Sequence, residues 1–220
     1  MADDLIKYTS PYSDEHVNVI YELLFCDNVA SYRKSFKQKP VHPWDVLLAE
    51  KPDATALEKI ATDPETESRV RLLAYHTLKT LGQKISHQEL LGVIVEVGLE
   101  EGLDVLASFR DGTARYINYT GHMIIWETSD ERSTALTNSL FEASQKTLAQ
   151  IGPWDKPRRS RPATSYCRIS FLVSDGLYFG EGPTDVLFND PLGSAALNAA
   201  TALMNYLVET TIRRGKETKK

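Results

Sequence analysis

Residues 91–127 read LGVIVEVGLEEGLDVLASFRDGTARYINYTGHMIIWE, and the spacing of reversals within this stretch decides the fold. Leu91, Val93, Val95 and Val97 alternate with Gly92, Ile94 and Glu96. That two-residue period belongs to a strand whose second face is also partly buried. Gly98-Leu99-Glu100-Glu101-Gly102 turns the chain, and Leu103, Val105, Ala107 and Phe109 then share one side of a second strand. Asp111-Gly112 is a strong hairpin signal, because a type I′ turn needs positive φ at both central positions. Ala114, Tyr116 and Asn118 alternate with Arg115, Ile117 and Tyr119 before Thr120-Gly121 reverses the chain into His122-Met123-Ile124-Ile125-Trp126. Reversals this short join only antiparallel neighbours, since parallel strands need crossovers of about a dozen residues or more. The stretch predicts a four-stranded meander.

Towards the C-terminus, a capping box from Thr128 to Glu131 predicts a helix through Leu136, Leu140, Ala143 and Leu148 to Gly152. Tyr166 to Val173 and Leu177 to Phe179, joined by Ser174-Asp175-Gly176, predict a second hairpin. Asp190 and Pro191 then suit the start of a last helix, whose buried stripe is Leu192, Ala196, Ala199, Ala200, Leu203 and Leu207. From Arg213 to Lys220 the chain is basic and is expected to fray. The order ββββ-α-ββ-α predicts an α+β protein: a mainly antiparallel sheet of about six strands with two helices on one face.

The preceding residues read mostly as helices. Ser13 is placed to cap a helix with Val17, Ile20, Tyr21 and Leu24 on its apolar face, while residues 27–43 carry no period and read as irregular. A helix after Asp53 would bury Leu57, Ile60 and Ala61. Asp63-Pro64 then opens a helix with the stripe Val70, Leu73, Ala74, Leu78 and Leu81, closed by Gly82. In Leu57, Ile60, Ala61, Asp63-Pro64, Val70-Arg71, Ala74, Leu78 and Leu81-Gly82 this pair, over 54–62 and 64–81, resembles a HEAT-type helical hairpin. The resemblance covers one unit and no second copy follows, whereas solenoids need about three. An ordinary helical hairpin is the better reading. Residues 1–90 are therefore expected to form a mostly helical region, tightly joined to an antiparallel α+β domain over 91–220.

Composition bounds the function. A chain of 220 residues buries roughly 70% of its unfolded surface, enough for a full core. Its formal net charge of −5 gives no general attraction to nucleic acid or anionic membranes and argues against both as partners. Cys26 and Cys167 show no metal-type spacing and read as buried thiols in a reducing compartment. The acidic start, Met1-Ala2-Asp3-Asp4, leads into no signal-like apolar run, so a cytoplasmic location is expected.

Familiar catalytic motifs are missing: no Gly-Lys-Ser/Thr phosphate loop, no His-Glu-x-x-His, no Cys-x-x-Cys, no Gly-x-Ser-x-Gly. Gly180-Glu181-Gly182 lacks the third glycine and the βαβ setting of a dinucleotide loop. The five histidines show no ligand spacing, and neither metal nor cofactor is implied. One segment stands out. Residues 152–164 gather Lys156, Arg158, Arg159 and Arg161 beside Trp154 in a proline-stiffened loop. Arginine forks suit carboxylate or phosphate, and an indole can stack on a flat group. His122 at the sheet's rim and Gly193 and Ser194 in the first turn of the last helix complete a candidate binding set. Asp190 competes for those same helix donors, and a solvated proline-rich connection is the plainer account of the loop. The reading that follows is a non-catalytic binding or protein-interaction module, its partner a protein or a small anionic ligand, with self-association open. An enzyme acting on a small anionic molecule held by residues 152–164 is the alternative. On either view, replacing Arg158, Arg159 and Arg161 by alanine is expected to leave thermal stability almost unchanged.

Overall fold

The computed structural model describes residues 10–33 and 39–217. Five helices come first: α1 (Glu15–Leu23), α2 (Val29–Arg33), α3 (Trp44–Leu47), α4 (Ala54–Thr62) and α5 (Ser68–Thr80). The meander follows as β1 (Leu90–Gly98), β2 (Leu103–Phe109), β3 (Ala114–Ile117) and β4 (Met123–Trp126). Then come α6 (Glu131–Leu148), β5 (Tyr166–Val173), β6 (Gly176–Pro183), α7 (Thr184–Leu187) and α8 (Ser194–Glu217). All strands join one antiparallel sheet in the order β4-β3-β2-β1-β5-β6. This is the α+β class with the antiparallel sheet that the turn spacing predicts.

Strand alternation sends successive side chains to opposite faces, and each face has its own helical cover. Leu103, Val105, Ala107 and Phe109 of β2, with Ile94 and Ile117, pack against Tyr21, Leu57, Leu73 and Leu78 of α1, α4 and α5. On the other face Val93, Val95, Leu106, Ile169 and Phe171 meet Leu140 and Phe141 of α6 and Leu197 and Leu203 of α8. The sheet is thus the middle of three layers. Buried Ala196 and Ala200 leave room for α8 to lie close.

Several boundaries differ from the sequence expectation, each for a local reason. Helix α5 begins at Ser68 instead of residue 64, because Asp63 builds a turn, accepting from Glu65 N (3.0 Å) and Thr66 Oγ1 (2.8 Å). The carboxylate at the start of α5 is Asp111 from the β2–β3 turn: Ser68 N donates to Asp111 Oδ2 (2.7 Å), and Asp111 N donates to Ser68 Oγ (3.1 Å). Gly112 beside it has φ +85°, but Asp111 does not share the positive φ, so the turn is not the expected type I′. Gly112 N donates to Phe109 O (3.0 Å) and Phe109 N to Thr113 O (2.9 Å), which makes a three-residue loop, Arg110-Asp111-Gly112, with glycine at the left-handed position. Asp14, not Ser13, caps α1, and the capping box of α6 is Asp130 with Ser133. Helices α2, α3 and α7 were not foreseen, and residues 34–38 of the stretch read as irregular lie outside the described residues. Where fraying was expected, α8 continues through Arg213 and Arg214 to Glu217. The acidic start, Met1 to Asp4, and the final lysines also lie outside the described residues. Among the described residues no helix is long and apolar enough to cross a membrane.

Candidate functional site

The arginine-bearing loop leaves α6 and is fastened to the sheet along its course. Trp154 N donates to Leu177 O (2.7 Å), a single bridge onto the edge strand β6. The indole Nε1 donates to Pro157 O (3.0 Å), and the ring meets Phe179 edge-on with centroids 5.0 Å apart. At the far end Ser165 N donates to Gly98 O (2.9 Å). A Cβ at residue 98 would collide with the Ala163 carbonyl, so only glycine lets the loop pass this close.

Between these anchors the loop is held from below by Arg168 of β5, which is almost completely buried. Its guanidinium donates to Glu181 Oε2 (2.6 Å from Nε), to Ser160 O (2.6 Å), and more loosely to Glu96 Oε2 and Arg159 O (both 3.4 Å). A guanidinium this deep is tolerable only when its donors are met, and two carboxylates and two carbonyls meet them. Glu96 faces Arg168 across the β1–β5 ladder and also accepts from Tyr21 Oη (2.6 Å). Burial pushes the Glu96 carboxyl above its ordinary pKa, against the pull of Arg168 and Tyr21.

Arg158 ties the same loop to the helical layer. It pairs with Glu22 and with Asp27 (3.0 Å), and its guanidinium lies 3.8 Å from the centroid of Phe25. Burial opposes its charge, but Asp27 and Glu22 outweigh that and hold it more firmly protonated than a free guanidinium. Arg159 stays at the surface, 53% exposed, 3.5 Å from Glu181 and stacked 5.5 Å from the centroid of Trp154. Arg161 is half-buried and acts electrostatically on Tyr12. Trp154, Arg158 and Arg159 are thus parts of one fastened strap. His122 lies exposed in the β3–β4 turn, beside the sheet edge opposite β6, away from the strap. Ser194 begins α8 in the other helical layer, while Gly193, expected in its first turn, lies in the turn just before it. Asp190 takes the local donors, its Oδ1 accepting from Leu192 N (2.9 Å) and Gly193 N (2.8 Å) and its carbonyl from Ser194 N (3.0 Å).

Beside the strap runs an open cleft of about 810 Å³, walled by the α1–α2 junction, α5, residues 154–158 and the β5–β6 turn. Leu72 and Leu177 give it apolar surface, and Asn28, Ser31 and Thr80 give it uncharged hydrogen-bonding groups. Lys79 lines it while its Nζ donates to the Asp175 carbonyl (2.5 Å), and Lys156 lines it with Nζ 5.6 Å from the centroid of Trp154. His76 is solvent-accessible but enclosed by the cleft walls. That partial loss of water lowers its pKa, with Asp27 raising it and Lys79 lowering it. Burial pushes the nearby Cys26 thiol up to about 12, so it is no nucleophile near neutral pH.

Sequence reasoning missed His76, Lys79 and Thr80 as one group. Their i, i+3, i+4 spacing on α5 was the available signal, but it marks any polar helix face. Among the described residues no group of three His, Cys, Asp or Glu side chains is placed to hold a metal ion. Comparison with models of known protein families and with curated proteins finds no match. The functional reading therefore rests on the site's own chemistry.

Proposed function

We propose that the protein is a non-catalytic interaction module that seats an extended segment of a partner protein in the cleft between α5 and the strap. The observation that supports this most is how the lining charges are used. Arg158 is taken up by Glu22 and Asp27, and Lys79 by a carbonyl, so the charged groups do not converge on one empty point as acid–base or nucleophilic work requires. What remains is an open trough offering donors, acceptors and apolar surface along its length. An extended polypeptide presents the same mixture in alternation. A reducing, cytoplasmic setting belongs to this reading, supported by the free thiols Cys26 and Cys167, which are buried on opposite faces of the sheet.

Peptides selected from a random display library supply the test. Ser31→Trp and Thr80→Trp each place an indole in the trough at a residue outside the core. Both should weaken the selected peptides about tenfold or more while leaving the melting temperature unchanged. If selection yields no peptide sensitive to either change, the reading fails.

A second reading, an enzyme acting on a small anionic molecule, draws support from Lys79 and Lys156 lining the cleft that also holds His76. A rise in melting temperature with inorganic phosphate or a small dicarboxylate, abolished by Lys79→Ala and Lys156→Ala, would favour it over the peptide.

A further inference from the structure

The two edges of the sheet are finished differently. At β6 the edge carries the Trp154 bridge, the fastened strap, Glu181 and Pro183, all devices that stop a strand from recruiting another. At the other edge β4 reads Met-Ile-Ile-Trp, without proline or charge, and Ile125 is 59% exposed. Among the described residues no backbone hydrogen bond reaches the outer side of β4.

The ladder fixes which groups face outward. Asn118 N donates to His122 O (3.0 Å) across the β3–β4 turn, and Phe109 N donates to Thr113 O (2.9 Å) across the β2–β3 turn. By alternation Ile124 and Trp126 direct their N–H and C=O groups at β3, and Met123 and Ile125 direct theirs away from the sheet. A second copy presents the same parity. In a two-fold antiparallel pairing outward residues must meet outward residues, and a register centred on Ile125 sets that exposed side chain against its own counterpart. The charges agree with it. Glu127 comes opposite Met123 of the second copy and stays apart from the other Glu127, while its own Arg115 neutralises it.

We propose that two copies of this chain associate through β4, antiparallel about a two-fold axis at Ile125, joining their six-stranded sheets into one. The interface is independent of the cleft and of any ligand there. Because the paired segment is only four residues a side, association is weak and concentration-dependent.

Sedimentation of the full chain from micromolar to millimolar concentration, with three variants, tests this. Ile125→Lys puts like charges at the axis on a side chain already exposed. It should raise the dimer dissociation constant about tenfold or more, with a small fall in melting temperature because Arg115 lies directly across the β3–β4 ladder from residue 125. Ile125→Cys should give a disulfide-linked dimer on mild oxidation, since directly opposed, hydrogen-bonded residues lie about 5.5 Å apart at Cα, within disulfide reach. Ile124→Cys, on the other face of the strand, should not cross-link. A monomer at every concentration overturns the proposal. A dimer indifferent to Ile125→Lys, or one that cross-links through residue 124 instead, also overturns it.

Discussion

Arg158 and Arg159 are neighbours of the same chemistry, and their surroundings give them opposite energetic weight. Arg158 has a side chain 12% exposed, two carboxylate partners and an aromatic ring beneath it. Removing it leaves Glu22 and Asp27 facing each other. Because both keep about a third of their exposure, water absorbs part of the cost. Arg158→Ala should therefore lower stability by about 2 kcal/mol in urea unfolding. Arg159→Ala, at an exposed site with one loose ion pair, should change it by less than about 0.5 kcal/mol. This reverses the expectation from sequence that all the loop arginines are neutral to stability. The basic cluster could be read from residues 152–164, but its counter-charges lie on α1 and on the stretch before α2, far along the chain, and nothing in sequence spacing points to them. Arg168 went unnoticed for a related reason. One arginine in an alternating strand reads as the solvent side, and only a second helical layer makes that side interior.

Element boundaries depend on who supplies the cap. The hairpin at Asp111-Gly112 was legible because turn chemistry is local. That the same aspartate would serve α5 was not, since the partners are joined only by folding. Asp111→Ala should cost about 1–2 kcal/mol and selectively speed amide exchange in the first turn of α5, readable by hydrogen-exchange mass spectrometry. A uniform rise in exchange across the chain would instead indicate a general loss of stability. Asp130 caps α6 and accepts from Tyr206 Oη (2.7 Å). The backbone N–H of Ser133 is the main cause holding its carboxyl below the ordinary value of 3.8. A depressed carboxyl pKa contributes stability that is present above the unfolded value and lost as pH falls through the folded one. Asp130→Ala should cost about 1 kcal/mol at neutral pH, and the gap to the parent should close as pH drops below about 3.8. A gap that persists under acid would show that shape or packing, not the charged cap, is responsible.

Across the whole molecule, the sheet is a wall shared by two helical layers. The strand order was recoverable because short turns admit only antiparallel neighbours. The sandwiching was only half visible: β1 and β2 carry apolar residues at nearly every position, which signals burial on both sides without naming the covers. Leu103, Val105, Phe109 and Ile117 are fully buried, and they pack in the cluster that α1, α4 and α5 supply. Together they represent roughly 6–12 kcal/mol of burial, comparable to the net stability of a domain. Residues 88–217 expressed alone should therefore bind a hydrophobic dye and lose near-ultraviolet circular dichroism. A sharp cooperative melt of that fragment would show that the helical layer is dispensable. The central place of β1 has a further consequence during synthesis. Its neighbour β2 follows at once, but its other neighbour, β5, ends at Val173. At about 5–20 residues per second, a nascent chain waits several seconds with an interior strand temporarily at the margin. Ribosome-associated chaperones would meet the protein during that interval, and slower translation between codons 127 and 173 would lengthen the hazard.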